Sequence, residues 1–192
     1  MRELEDKILH DGQVLPGGIL KVGGFLNQQI DVPFLMKMGD EIARLYKDSG
    51  VTKVLTVEAS GIAIAVAAAS SLGVPMVFAK KHKSINLSDS LYTAPVYSYT
   101  HKTTYEIAVS KEYISSDDVV LIVDDFLAKG NALIGLIKLV KEADAKVAGA
   151  AIAIEKGFQD GGDMVRKMGV RVESLAIVDS MNDDGTIVFR EG

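Results

Sequence analysis

Two adjacent carboxylates, Asp124 and Asp125, stand directly after an unbroken apolar run, Val119 to Val123, and shortly before the loop Ala128-Lys129-Gly130-Asn131-Ala132. An apolar run without alternation suits a strand buried on both faces, as in a parallel sheet under helices. The carboxyl ends of such strands are where open α/β sheets place their ligands. Carboxylates accept hydrogen bonds from vicinal hydroxyls or hold a hard cation such as Mg²⁺. Leu133, Leu136, Ile137 and Val140 recur at helical spacing behind the loop, so backbone N–H groups and a helix dipole favour an anion there. A ligand with both hydroxyls and a phosphate, such as a ribose phosphate, answers both features. An isolated acid pair can equally mark a strand end and cap the next turn, so the surrounding elements decide.

Those elements alternate. MRELEDKILHDG reads as an amphipathic helix with Leu4, Ile8 and Leu9 on one face, and Val14 to Val22 as a loop and short strand broken by Pro16, Gly17 and Gly18. Pro33 to Asp48 has Pro33 in a first turn, apolar Phe34, Leu35, Met38, Ile42 and Leu45 on one face, and Gly50 beyond its end. Val54 to Val57 reads as a buried strand running through Glu58-Ala59-Ser60-Gly61 into an alanine-rich helix that ends near Leu72. Met76 to Ala79 is a further strand ending on Lys80-Lys81-His82-Lys83, a basic run that by itself is commonly just a solvated turn. Alternation in Val96 to Tyr99 and Tyr105 to Val109 predicts two strands about a loop at Thr100 to Thr104. After the central helix come a strand at Val147 to Ile154, a short helix at Asp163 to Met168 and an alternating strand at Val170 to Val178. Strands separated by helices imply right-handed crossovers, hence an α/β fold with a mainly parallel twisted sheet flanked by helices. The loops after three of these strands then open on one edge of the sheet, carrying Glu58 to Gly61, Lys80 to Lys83 and Asp124 to Ala132.

Composition bounds the rest. The chain has 192 residues, 48% hydrophobic and 24% charged, which fits one globular domain with a sizeable core. A net charge of -5 argues against binding nucleic acid or an anionic membrane through overall charge. No cysteine is present, which excludes thiolate metal ligands and a cysteine nucleophile and accords with a reducing cytoplasm. The start of the chain lacks the apolar centre of a signal peptide, and Gly61 to Ala69 is too short to span a bilayer. There is no G-x-x-x-x-G-K-[ST], no strand-bound G-x-G-x-x-G and no G-x-S-x-G. His10, His82 and His101 are scattered without metal-ligand spacing and read as solvated.

VVLIVDDFLAKGNA resembles the phosphoribosyl diphosphate motif of the type I phosphoribosyltransferases: an apolar strand, two acids, a short loop with a glycine, then a helix. ILKVGGFLNQQID, VEASGIA, VFAKKHKS and AIEKGFQ are similar, in the same order, to stretches of bacterial members of that family that act on xanthine. The resemblance covers nearly the whole chain and implies a single domain over 1–192, with a core over about 33–155 and a small hood made by the chain ends, about 1–32 and 156–192. It implies transfer of the 5-phosphoribosyl group from 5-phosphoribosyl 1-diphosphate to xanthine, with Mg²⁺ accompanying the diphosphate and no direct protein ligation of the metal. A homodimer in the cytoplasm is expected by the same resemblance. Other purines (guanine, hypoxanthine, adenine) are the neighbouring possibility. A non-catalytic regulator that senses phosphoribosyl diphosphate is the other, though such proteins usually carry an added DNA-binding domain.

By the same resemblance, Asp124 and Asp125 face the ribose hydroxyls, directly or through Mg²⁺ and water, and stabilise charge developing on the ring. Ala128, Lys129, Gly130, Asn131 and Ala132 cradle the 5-phosphate, Glu58, Ala59, Ser60 and Gly61 form the diphosphate loop, and Lys81 neutralises the leaving diphosphate. Leu20, Asn27, Phe126 and Lys156 match positions around the purine, where amide and lysine donors suit carbonyl oxygens. Lys129 and Ala132 depart from the family, which usually has threonine and a small hydroxyl residue there. Ala128 stands where relatives acting on other purines have an acid, so no protein group is evident to move the proton of the base. Lys83 to Tyr105 suits a flap that excludes water, a dimer contact, or both.

Overall fold

The computed structural model describes residues 1–82, 90–98, 102–182 and 184–191. In chain order, α1 (Arg2–Asp11) leads to a hairpin of β1 (Gln13–Leu15) and β2 (Ile19–Lys21), a π-helical turn over Gly23–Asn27, and α2 (Val32–Tyr46). Then follow β3 (Lys53–Val57), α3 (Gly61–Leu72), β4 (Met76–His82), β5 (Leu91–Ser98), β6 (Thr103–Ser110) and β7 (Val119–Leu127). The chain finishes with α4 (Asn131–Glu142), β8 (Lys146–Lys156), α5 (Gly161–Lys167), β9 (Val172–Met181) and β10 (Ile187–Phe189). Eight strands form one sheet in the order β10-β9-β8-β7-β3-β4-β6-β5. Neighbours from β9 through β4 pair in parallel, and antiparallel strands close both edges.

Apolar residues on both faces of the central strands explain why helices cover both sides. Leu121 and Val123 face a core shared with α1, α2 and α3, through Leu4, Met38, Ile42 and Ile64. Val120 and Ile122 face a second core with α4, through Leu136, Ile137 and Val140. Side chains alternate along a strand, so β7 must be apolar at every position to serve both. Asp31 caps α2, its carboxylate accepting from the Phe34 N–H at 3.2 Å, with Pro33 in the first turn. α2 and α3 approach closely because Gly39 faces Ala67: a Cβ at Gly39 would lie 2.6 Å from the Ala67 carbonyl carbon. Among the described residues, no helix is long and apolar enough to cross a membrane.

Several boundaries move, each for a pairing or packing reason. Strand β7 continues through Asp124 and Asp125 to Leu127, because Phe126 and Leu127 pair with Ile154 and Glu155 on β8. The acid pair therefore lies inside the last turns of a paired strand, not beyond its end. Strand β4 likewise runs through Lys80 and Lys81, which pair with Ala108 and Ile107 on β6. The strands expected at Val96 and Tyr105 are longer, with Tyr92 already paired to Val109 and Thr103 and Thr104 inside β6. Leu9 is 56% exposed, since α1 buries only Leu4 and Ile8, one turn apart. Sequence periodicity missed the π-helical turn and β10. Residues 83–89 and 99–101, which include Lys83, His101 and part of the expected flap, lie outside the described residues.

Candidate active site

Strand β7 ends beside the amino terminus of α4, and the space above them is a cleft of about 560 Å³. Its floor and rim include Asp124, Phe126, Ala128, Lys129, Gly130, Asn131 and Ala132, with Lys156 at the end of β8. The loop turns sharply because Gly130 adopts φ +80°, a conformation open to glycine. Gly130 is the N-cap of α4, so the first N–H groups of that helix have no intrahelical acceptor and point at the cleft mouth. Lys129 is 43% exposed on this rim, with its ammonium 3.8 Å from Asp160. The side-chain amide of Asn131 is occupied: it donates to the Tyr97 carbonyl at 2.9 Å. An anion at this loop would therefore meet backbone N–H groups and Lys129, with no side-chain hydroxyl at Ala132.

Asp124 and Asp125 have different surroundings, as successive residues of a strand must. Asp124 borders the cleft, is 7% exposed, and accepts from the Asp125 N–H at 3.0 Å. Burial, followed by the neighbouring Asp125 carboxylate, pushes its pKa well above the usual carboxylate range, while Lys81 pulls modestly the other way. Asp125 points toward the loops on the α3 side. Its Oδ1 accepts from the Ser60 hydroxyl at 3.0 Å and its Oδ2 from the Asn27 amide at 3.1 Å.

The loop Glu58-Ala59-Ser60-Gly61 joins β3 to α3, contains a cis peptide between Glu58 and Ala59, and leaves Ala59 and Ser60 exposed. Gly61 has a steric reason. A Cβ there would lie 2.3 Å from the Thr56 hydroxyl and 2.7 Å from Asp124 Oδ1, so only glycine lets the start of α3 approach the acid. The Glu58 carboxylate accepts from the Lys81 N–H at 2.7 Å, which ties this loop to β4. The Lys81 ammonium lies over the Tyr105 ring at 5.5 Å, and Tyr105 is itself part of the cleft wall. Burial, and after it the charge of Asp124, raises the Tyr105 pKa above the ordinary phenol value.

Around the expected base position, Lys156 donates to the Gly18 carbonyl at 2.8 Å and sits 5.9 Å from the centre of the Phe126 ring. Burial lowers its pKa. This bond draws the β1–β2 hairpin over the carboxyl edge of the sheet, where Gly17, Gly18 and Ile19 line the cleft. Leu20, by contrast, turns into the core at 6% exposure, and its side chain does not line the cleft. Asn27 joins the site through Asp125, from the π-helical turn.

The structure adds residues that periodicity did not single out. Val96, Tyr97 and Tyr105 form one wall of the cleft, and Gln159 part of the other. Gly161 supports the Ala128 to Ala132 loop from behind, its N–H donating to the Ala128 carbonyl at 3.1 Å. The Gly161-Gly162 pair was the available signal, since neighbouring glycines mark close backbone approach. Among the described residues, no group of three or more His, Cys, Asp or Glu could hold a metal ion.

The phosphoribosyl transferase domain model matches residues 29–184. The chain is 51% identical over 191 residues to the xanthine phosphoribosyltransferase of Oceanobacillus iheyensis, covering 100% of this chain and 98% of that protein. It is 54% identical over 184 residues to the xanthine phosphoribosyltransferase of Lactiplantibacillus plantarum, covering 96% and 94%. Among solved structures, an adenine phosphoribosyltransferase (APRTase) from Giardia lamblia superposes with a TM-score of 0.77 at 23% identity, over 91% of this chain and 96% of that one. That last likeness speaks to the fold.

Proposed function

The chain belongs to the phosphoribosyl transferase family, and from that premise we propose that it transfers the 5-phosphoribosyl group of 5-phosphoribosyl 1-diphosphate to xanthine, yielding xanthosine 5'-monophosphate and diphosphate. The observation that carries this reading is the presence in one cleft of a helix-capped anion loop, a buried carboxylate and a lysine, Ala128 to Ala132, Asp124 and Lys156. Full-length relatives named for xanthine support the choice of base.

In this reading the N–H groups of Ala128 to Ala132 hold the 5-phosphate against the dipole of α4. Asp124, on the cleft, faces the ribose hydroxyls and ionises to stabilise positive charge on the ring as the diphosphate leaves, and Asp125 backs it from the Ser60 and Asn27 side. The loop Glu58 to Gly61 and Lys81 receive the diphosphate at the opposite side of the acid pair. Phe126 offers a ring face to the purine, and Asn27 and Lys156 offer donors to its carbonyl oxygens. Leu20 shapes the base pocket from below, through the core that supports Gly18 and Ile19. Mg²⁺ would accompany the diphosphate and offset part of its charge, and the carboxylates of Asp124 and Asp125, hard oxygen donors, would hold it through water.

The catalysis is mostly positioning and electrostatics. No side chain at Ala128 can take the proton of the base, and xanthine is acidic enough to lose it to water. We place the enzyme in the cytoplasm as a homodimer, with exposed Phe78 and Tyr113 supplying apolar surface for the contact. We divide the chain into a hood of about 1–32 and 156–192 over a core of about 33–155, with breaks near the start of α2 and the end of β8.

The test mixes the protein with Mg²⁺, phosphoribosyl diphosphate and each purine in turn and measures diphosphate release. Release with xanthine far above guanine, hypoxanthine and adenine is the expected result. Release with another base alone, or binding without turnover, would replace this reading with a different purine enzyme or a sensor.

A further inference from the structure

Glu155 does not line the cleft, yet parts that do are built around it. On β8 it pairs with Leu127, the residue before the Ala128 to Ala132 loop, and it precedes Lys156. Its carboxylate is 2% exposed and reaches to α5, where Arg166 donates to Oε1 at 2.7 Å through Nη1 and to Oε2 at 2.8 Å through Nη2. The Ser174 hydroxyl on β9 donates to Oε2 as well. Three elements are thereby fastened to one buried group.

α5 needs such a fastening. Its seven residues are too few to make a stable helix alone, and apart from Gly161 and Gly162 it buries only Val165. The first turn rests directly on the ion pair: a Cβ at Gly162 would run into the Glu155 carboxylate and lie 2.6 Å from Arg166 Nη1. Gly161, one residue earlier, meets the anion loop instead. Its N–H donates to the Ala128 carbonyl at 3.1 Å, and a Cβ there would lie 2.6 Å from the Gly130 nitrogen. Asp160 adds an exposed contact to the same loop, 3.8 Å from the Lys129 ammonium. The line of contact therefore runs from Glu155 and Arg166 through two glycines, with no side chain between, to the loop at the cleft.

As a source of stability alone, a buried ion pair has little advantage over apolar residues of similar volume. What a bidentate pair adds is direction, since both arms of the guanidinium must meet both carboxylate oxygens in one plane. We propose that Glu155 and Arg166 are positioning residues for the reaction: their ion pair seats the start of α5 under the Ala128 to Ala132 loop, and so sets where the N–H groups of that loop stand against the 5-phosphate of the phosphoribosyl donor. This inference rests on the reading of the site given above. Lys156, though next in sequence to Glu155, is held separately, by pairing with Val178 on β9 and by its bond to the Gly18 carbonyl. The purine side of the site therefore feels loss of the ion pair much less than the phosphate side.

Arg166→Met, assayed with Mg²⁺ at a temperature where the variant is fully folded, tests this. KM for phosphoribosyl diphosphate, and its Kd by titration calorimetry, both rise about tenfold, while KM for xanthine stays within about threefold. Arg166→Lys keeps the charge without the fork and recovers only part of the loss. In a Gly161→Ala background, where the loop is already displaced, Arg166→Met adds less than about twofold, because both changes act through one contact. If Arg166→Met does not fold, Ser174→Ala replaces it, freeing one carboxylate oxygen and raising the same Kd about threefold. A folded variant that loses stability yet binds phosphoribosyl diphosphate as the parent does, that weakens both substrates alike, or whose effect multiplies fully with that of Gly161→Ala, overturns the proposal. A parent protein that binds phosphoribosyl diphosphate but releases no diphosphate with xanthine overturns the functional reading instead, with the shift in Kd still expected.

Discussion

The N–H of Gly161 donates to the carbonyl of Ala128 at 3.1 Å, and a Cβ at Gly161 would lie 2.3 Å from that same oxygen and 2.6 Å from the Gly130 nitrogen. Two backbones thus touch directly, with no room for a side chain, and the contact sets the curvature of the phosphate loop. Gly161→Ala must push the loop away. The expected outcome is a rise in KM for phosphoribosyl diphosphate of about tenfold or more, with KM for xanthine changed much less, because a 1 Å misplacement of a positioning loop costs on that order or more. Initial-rate kinetics with each substrate varied in turn checks it, and equal effects on both would show that the contact serves the fold alone.

Legibility in the sequence followed the physics of each signal. Strands β3, β7 and β8 are readable because burial on both faces demands mainly apolar runs, and α2 because Pro33 and Gly50 mark its limits, though its cap, Asp31, emerges only in the structure. The acid pair and its loop were found as residues, but β7 hid its true end, since pairing with β8 outlasts the apolar run. The relation between Asn27 and Asp125 spans 98 positions and leaves no periodic trace, so only the folded chain brings them together. Gly161 leaves only the Gly161-Gly162 pair as a trace, which does not name its partner, because its role is a contact with Ala128 and not a local conformation. Tyr97 and Tyr105 read as alternating strand residues, and alternation says which side of a strand they occupy, not what that side faces.

Glu155 supplies a prediction about stability. Its carboxylate is 2% exposed and receives both arms of Arg166, at 2.7 and 2.8 Å, together with the Ser174 hydroxyl. Burial pushes its pKa up, but the Arg166 and Ser174 hydrogen bonds win and hold it below the usual glutamate value. A lowered folded pKa contributes stability that is present above the unfolded value, about 4.3, and is lost as pH falls through the folded one. Arg166→Met strands the carboxylate and should cost about 2–3 kcal/mol at pH 7, at or just below the range for a fully buried pair because Arg166 is partly exposed. Urea unfolding at pH 7 and pH 3.5 should show the gap shrinking at the lower pH. An equal gap at both would mean that packing, not the ion pair, is what was lost.

Lys156 ties the β1–β2 hairpin to the sheet edge through the Gly18 carbonyl and is held partly out of water, which lowers its pKa. Lys156→Met keeps a long apolar side chain beside Phe126 and removes the donor. KM for xanthine should rise by about tenfold to a hundredfold, as expected when a charged hydrogen bond to substrate is deleted. KM for phosphoribosyl diphosphate should stay within about threefold. For the parent protein, xanthine affinity should fall as pH rises through the lowered lysine pKa, and Lys156→Met should lack that limb. A pH profile of kcat/KM for both proteins decides it.

Asp124 sets function against stability. It is 7% exposed, borders the cleft and accepts from the Asp125 N–H, while the buried Thr56 hydroxyl nearby has no partner among the described residues. Burial and Asp125 raise its pKa, so the folded chain favours the protonated acid. A raised folded pKa contributes stability that is fully present below the unfolded value, about 3.9, and is lost as pH rises through the folded one. At pH 7 the protein therefore carries this acid at a cost, which a cation-bearing substrate would offset. Asp124→Asn keeps the acceptor for the Asp125 N–H and removes the charge. It should raise stability at pH 7 by about 1–2 kcal/mol, a Tm gain on the order of 5 °C for a chain of this size, with little gain at pH 4. It should also lower kcat by about a hundredfold or more, since the charge that faces the developing cation is gone. Thermal unfolding at the two pH values, read beside diphosphate release, checks both halves. A variant that is less stable than the parent at pH 7 would show that the carboxylate is satisfied in the free enzyme, and that the rate loss has another origin.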